Sequence, residues 1–210
     1  MRRVAFLLLM LCLTVPGLAQ VNLDYKTWEP GIHKNMLITN FTFSIGKSPS
    51  ELKYYLYTSA EWMLTDNWGL EGSAFINLGS SENDLESLLH AGTAQVGGVT
   101  DYQTHNIFLG PNYHFLDHKR VDLYAGIHPG LTLFSAPEFS FVQEWGENVT
   151  IPQTYALEPT VSLHGGAAYY ARFFHAFVQA RYVVGRHDSF QYSGKFNEFR
   201  FALGLGFNLF

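Results

Sequence analysis

Apolar and polar residues alternate with period two along most of this chain. In its last stretch, positions 199, 201, 203, 205, 207 and 209 read Phe, Phe, Leu, Leu, Phe and Leu, with Glu198, Arg200, Ala202, Gly204, Gly206 and Asn208 between them. Successive side chains of a strand point to opposite faces, so one face here is unbroken hydrocarbon and the other is small or polar. The run 198–210 is long for a strand of a soluble sheet and ample for a tilted strand that crosses a bilayer.

The same alternation predicts seven further strands, at 36–45, 52–64, 68–78, 104–115, 121–134, 157–170 and 175–185. The first sets Leu37, Phe41, Phe43 and Ile45 against Asn40, Thr42 and Ser44. In the second, Tyr54, Leu56, Ala60, Trp62 and Leu64 oppose Lys53, Tyr55, Tyr57, Ser59 and Glu61. Thr65-Asp66-Asn67 and Asp117-His118-Lys119-Arg120 carry turn chemistry, so the connections after strands 2 and 4 are short. Strand 6 is likewise followed closely by strand 7, whereas long inserts, 79–103, 135–156 and 186–197, follow strands 3, 5 and 7. An even strand number brings both chain ends to the side of the short turns. Bacterial outer-membrane barrels are arranged in this way, with periplasmic turns and longer extracellular loops. The connection after strand 1 is short although it lies on the other side.

Composition decides which face is inside. Charged residues make up 15% of the sequence, against about 25% in ordinary soluble domains. Aromatics reach 16%, and no stretch after the first nineteen residues has the apolar length of a membrane-spanning helix. If this chain crosses a membrane it must do so as a closed barrel, because only closure satisfies every backbone group in hydrocarbon. A soluble lipocalin-type barrel would bury the apolar face and show the polar one to water. Here the polar face is rich in Gly, Ala, Ser, Asn and His, with scattered Arg and Glu and almost no Lys. That chemistry suits a narrow, filled lumen. Trp62, Trp68, Tyr113, Phe115 and Tyr169 sit on the apolar face beside the short turns, where an interfacial aromatic girdle is expected. The predicted fold is all-β: an eight-stranded antiparallel up-and-down transmembrane β-barrel after a cleaved signal peptide.

The N-terminus agrees. Arg2 and Arg3 precede an apolar core, Ala5 to Val15, too short to span a bilayer, and Gly17 and Ala19 offer small residues for cleavage after Ala19. Residues 1–19 read as a signal peptide, 20–35 as a periplasmic segment and 36–210 as the barrel. The single cysteine, Cys12, follows Leu11 inside the peptide, a context that does not fit lipidation, and leaves the mature chain without disulfides. Loss of Arg2 and Arg3 lowers the formal net charge by two from its value of −5. An acidic chain with no basic run is not expected to bind nucleic acid.

Signal peptide, eight alternating strands and a terminal aromatic together resemble small outer-membrane barrels of the OmpA and OmpX type, and the plain barrel domains of Bacteroidetes. The resemblance covers the whole mature chain and rests on architecture. It implies a cell outer-membrane location with both termini periplasmic. Outer-membrane lipid and lipopolysaccharide would surround the barrel, and the barrel assembly machinery would insert it. One departure stands out: the final Phe of such barrels is in phase with the lipid-facing aromatics, whereas Phe210 falls on the lumen parity, one residue after Leu209.

Lumen-parity positions include Glu61, Glu71, Asp122, Glu158 and Glu198, with Arg181, Arg200, His114, His128 and His164. The interior of an eight-stranded barrel is just wide enough for side chains to fill it. Charges taken out of water there must pair, so an internal charge network that plugs the barrel is expected. A narrow diffusion pore lined by the same residues is the alternative. The histidines show no H-x-E or H-x-H spacing, and neither metal nor cofactor is expected. His187-Asp188-Ser189 followed by Glu198 resembles the His-x-Ser…Glu set of the PagL-type lipid A deacylases, although the spacing differs. A serine next to a histidine base oriented by a carboxylate would be sound hydrolytic chemistry.

The inserts are the other candidates. In 81–92, Ser81 is placed as an N-cap, Leu85, Leu88 and Leu89 recur at helical spacing and Gly92 is a stop, which predicts a short helix. The 135–156 insert carries Phe139, Phe141 and Trp145 among acids. Loops on a rigid scaffold commonly carry binding, so 79–103 and 135–156 are the candidate sites for an extracellular partner, the alternative being that their aromatics fold over the barrel mouth. The sequence thus predicts a non-enzymatic outer-membrane barrel with a structural or surface-interaction role, with a lipid A hydrolase or a narrow pore as rivals.

Overall fold

Among the described residues ten strands form, eight of them in one closed barrel. The computed structural model describes residues 31–49, 51–82, 103–116, 120–136, 139–142, 148–151, 154–188 and 193–209. The strands are β1 (Leu37–Lys47), β2 (Glu51–Met63), β3 (Trp68–Glu82), β4 (Gln103–His114), β5 (Val121–Ala136), β6 (Phe139–Val142), β7 (Asn148–Ile151), β8 (Thr154–Tyr170), β9 (Phe174–Asp188) and β10 (Ser193–Leu209). Around the barrel they run β1-β10-β9-β8-β5-β4-β3-β2, every neighbour antiparallel, while β6 and β7 pair only with each other. Closure comes from β1 against β10, from Leu37↔Leu209 to Lys47↔Phe199. The barrel itself has no edge, which is the condition for a sheet to sit in hydrocarbon.

The period-two pattern fixes which way each residue points, and it points the chain inside out. Phe43 is 69% exposed and Leu203 66%, whereas Arg181 and Arg200 are among the largest fully buried side chains. Phe41, Ile45, Leu70, Ile107, Leu123, Leu163, Phe201 and Leu205 join the outer surface. Ser44, Ser59, Asn106, Thr132, Ser162 and Gln179 line the inside. A soluble barrel with this much outward hydrocarbon would far exceed the apolar patch a monomer normally shows to water.

Local chemistry closes the turns. Thr65 Oγ1 accepts from the backbone N–H groups of Asn67 (3.3 Å) and Trp68 (3.0 Å), and the Asn67 amide donates to the carbonyl of His114 (3.1 Å). The second of these turns is fastened by Asp122, whose carboxylate accepts from the Leu116 N–H at 3.4 Å. At this same end, residues 31–36 fold against the barrel. Asn35, in the left-handed region at φ 69°, donates to the carbonyl of Met63, and Ile32 and Met36 are fully buried.

Several expectations need correction. The connection after the seventh barrel strand is 189–192 rather than 186–197, because β9 and β10 keep pairing through Lys195↔Arg186, Gly194↔His187 and Ser193↔Asp188. Two of the connections at the far end, 48–50 and 189–192, are therefore short, and the alternation of short and long is incomplete. Ser81 is no N-cap: it lies in β3 opposite Leu52, and 83–92 fall outside the described residues. The 135–156 insert is not a plain loop, since it contains the β6–β7 hairpin, with Phe141 opposite Val149. β3 also carries a bulge: Tyr54 pairs with Gly79 and Tyr55 with Asn77, so Leu78 is skipped. Gly79 has φ 151°, a region that disfavours any side chain. Residues 1–30, with Cys12 and the signal peptide, and Phe210 lie outside the described residues.

Candidate functional site

Two surfaces could carry function: the filled lumen and the apolar exterior. The lumen is built in three tiers. At the end that carries the long inserts, Arg200 Nε donates to Glu198 Oε1 at 2.5 Å and its Nη2 to Asn106 Oδ1 at 2.6 Å. Tyr55 donates its hydroxyl proton to Glu198 Oε2 at 2.9 Å and lies 2.9 Å from Thr104 Oγ1. Asn106 in turn donates to Thr132 and Thr132 to Thr160. The guanidinium of Arg200 lies 4.1 Å from the Tyr55 ring centroid and 4.6 Å from that of Phe75.

The middle tier centres on Arg181. Its Nη2 donates to Glu71 Oε1 at 2.7 Å, and its Nη1 to Ser162 at 3.1 Å and Ser73 at 3.2 Å. With the Gln179 amide turned to suit both neighbours, its oxygen accepts from Arg181 Nε at 3.1 Å and its nitrogen donates to the Tyr57 hydroxyl at 3.2 Å. Phe75 and Phe108 pack on Arg181 at 5.3 and 5.4 Å. Phe75 thus packs against both arginines, and with Tyr57 (4.7 Å) and Phe108 (6.2 Å) it forms an aromatic cluster inside the bore. Below Arg181, Asn112 donates to Glu71 Oε2 at 2.9 Å and lies 3.0 Å from His128 Nε2.

The tier nearest the short turns is built on two histidines. His114 bridges Asp122 (Nδ1, 2.6 Å) and Glu61 (Nε2, 2.9 Å), and His175 bridges Asn208 and Asn40, both at 2.7 Å. Asn208 continues to the carbonyl of Ala171 and Asn40 to the Ser59 hydroxyl. Charge pairs across a low-dielectric bore are costly to form and costlier to break, because removing one partner strands the other.

Of the residues singled out from sequence, Glu61, Glu71, Asp122, Arg181, Glu198 and Arg200 are all buried inside, and Glu158 is half-buried on the same face. Glu61 meets Asp122 through His114, Glu71 meets Arg181, and Glu198 meets Arg200. Trp62, Trp68, Tyr113, Phe115 and Tyr169 are all exposed on the outer surface beside the short turns. Three of them touch edge to face in a row, Trp68 to Tyr113 at 5.0 Å and Tyr113 to Phe115 at 5.1 Å. Glu198 faces the lumen and pairs with Val183, four ladder positions from the pairing of His187 with Gly194, and its carboxylate is taken by Arg200 and Tyr55. Ser189 lies outside the described residues, as does any side-chain placement of His187.

Sequence reasoning missed two features. Phe75, Phe108 and Phe177 point inward among polar neighbours, where a reading of the dominant alternation passes over them. It also missed that Glu71, His128 and His164, from three strands, bring one ligating atom each within 4.8 Å of the others. The missing signal is register: β5 and β8 pair Gly126↔His164 and His128↔Ser162, which makes the two histidines diagonal neighbours.

No protein-family model matches this chain, and no curated protein matches it. Solved structures do. It is similar to the outer membrane protein OprG from Pseudomonas aeruginosa, with 12% identity over 85% of this chain and 98% of that one at a TM-score of 0.52. It is also similar to the N-terminal barrel domain of Pseudomonas aeruginosa OprF (16% identity, 84% and 98% covered, TM-score 0.48). A third likeness is to Ail, the attachment invasion locus protein of Yersinia pestis (11%, 84% and 99%, TM-score 0.49). At such identities the likeness to OprG shows the fold, and the chain has the fold of an outer-membrane β-barrel.

Proposed function

We propose that this chain is an integral outer-membrane protein whose plugged barrel is a rigid scaffold and whose inserts meet partners at the cell surface. The observation that carries the reading is the inverted distribution of chemistry: hydrocarbon outside, a connected polar network inside, and a barrel closed without an edge. In this reading both termini and the short turns are periplasmic, the aromatic row from Trp68 to Phe115 sits at the inner interface, and 79–103 and 135–156 face outward. The barrel assembly machinery would insert it among lipid and lipopolysaccharide. Three bonded tiers favour a scaffold over a diffusion pore. The engagement of Glu198 with Arg200 weighs against a hydrolase, and on this reading Ser189→Ala leaves the lipid A acyl pattern unchanged.

Membrane fractionation combined with heat-modifiable migration in SDS tests the core of it. The expected result is an outer-membrane pellet and a band that shifts only on boiling. A soluble protein with no shift would overturn the reading.

A further inference from the structure

We propose that Glu71, His128 and His164 form a binding site inside the barrel for a late first-row divalent cation, with Zn2+ the simplest case. The donor set is one carboxylate and two imidazoles, a combination that suits such ions, and three protein ligands leave a position for water. Their ligating atoms lie within 4.8 Å of one another, with His164 Nε2 3.7 Å from Glu71 Oε2 and His128 Nδ1 3.9 Å from Glu71 Oε1. Small side-chain rotations bring such atoms around one ion. The inference concerns the lumen alone and does not depend on what the inserts bind.

Two independent observations favour a ligand here. First, His164 is buried, and neither of its ring nitrogens has a hydrogen-bond partner among the described residues. A buried polar group left so is costly and is the exception in folded proteins. Second, the ligands are already oriented from behind. Asn112 donates from its nitrogen to Glu71 Oε2, so its oxygen must accept from His128 Nε2–H. That contact fixes the tautomer and leaves the Nδ1 lone pair of His128 facing the cluster. One amide thus sets two of the three ligands, as the groups behind metal ligands commonly do. The backbone makes room as well. A Cβ at Gly126 would lie 2.0 Å from Asn112 Oδ1 and 2.9 Å from His164 Cε1, and one at Gly110 2.5 Å from His128 Cδ2.

Arg181 is the opposing charge. It holds Glu71 by Oε1, leaving Oε2 as the oxygen nearer His164. Its contact with His128 Nδ1 is long, 3.4 Å, and its remaining N–H groups are bonded to Ser73, Ser162 and Gln179. An ion can therefore take the Nδ1 lone pair without stranding the guanidinium, although the nearby positive charge lowers affinity.

The test uses untagged mature protein refolded in detergent with Zn2+ or Co2+ present, so that access through the filled bore is not limiting. Folding is scored by heat-modifiable migration. After gel filtration, elemental analysis should find close to one ion per chain, and Co2+ should give the visible bands of a low-coordinate N/O site. His164→Phe should abolish retention, and Asn112→Ala, which touches no ion, should weaken it by about 10–100-fold. His105→Asn, outside the cluster, should retain the ion. If the folded wild-type barrel holds no ion, the proposal fails. Should His164→Phe not fold, equal retention by folded Asn112→Ala and wild type overturns it; equal retention by folded His164→Phe does the same.

Discussion

Arg200 and Glu198 are both buried on one strand, two residues apart, and their contact is closed by Tyr55 and Asn106 from other strands. Neither charge reaches water, so each depends on the other together with the polar groups around the pair. Arg200→Met removes the guanidinium from Glu198, leaving it the Tyr55 hydroxyl, and should cost about 3–5 kcal/mol in denaturant unfolding from detergent micelles. Adding Glu198→Gln to Arg200→Met removes the stranded charge and should recover most of that loss; a double variant as unstable as the single one would show that packing on Phe75, not charge pairing, dominates. Gly126 belongs to the same scale. Gly126→Ala forces Asn112 and His164 aside, an overpacking expected to cost about 1–3 kcal/mol in the same assay. Much at this scale was legible in the sequence. Glu71 and Arg181 fall on lumen parity by counting in twos, because the opposite parity is uniformly apolar. Which charge meets which was not legible, since strand parity fixes a face and not a height. Glu71 on β3 finds Arg181 on β9 across the bore, a relation that no local spacing records.

Along each strand, position relative to the bilayer should decide what a substitution costs. Leu109 on β4 is 58% exposed, and Tyr113, four residues nearer the short turns, belongs to the aromatic row. Leu109 therefore sits within the hydrocarbon band, and Leu109→Arg should destabilise the barrel by about 2–4 kcal/mol. Tyr155, at the far end of β8, is 65% exposed, so burial alone would rank the two alike. Tyr155→Arg should instead cost about 0–1 kcal/mol, as charges do near an interface. Equal costs would mean that the exterior does not face a bilayer. At this scale the sequence showed where strands exist better than where they stop. The apolar alternation marks the part of a strand that lipid contacts, so β9 and β10, which pair on to Ser193↔Asp188, outrun the pattern. The bulge that skips Leu78 in the pairing of β3 with β2 leaves no mark on the alternation, because Leu78 keeps its exposed, apolar place.

For the whole molecule, the question is whether the bore conducts, and the tiers act in series. The Arg200–Glu198 tier, the cluster of Phe75 with Arg181, and the His114–Asp122–Glu61 tier lie at successive heights inside the lumen. Beyond them, Ile32 and Met36 are buried at the end of the short turns. An ion path needs every tier open at once, whereas blocking needs only one closed. Wild-type protein in planar bilayers is therefore expected to give no resolved conductance steps. Phe75→Ala should stay silent too, although it removes the ring that both arginines pack on, because the histidine tier beneath it is untouched. Conductance that appears with Phe75→Ala alone would mean that the aromatic cluster is the sole barrier and that the polar tiers are permeable. Steps from the wild type would make the chain a narrow pore rather than a scaffold. On the scaffold reading, the outer ends of the strands are the place where this molecule would discriminate between partners, because the lipid face is nearly uniform hydrocarbon.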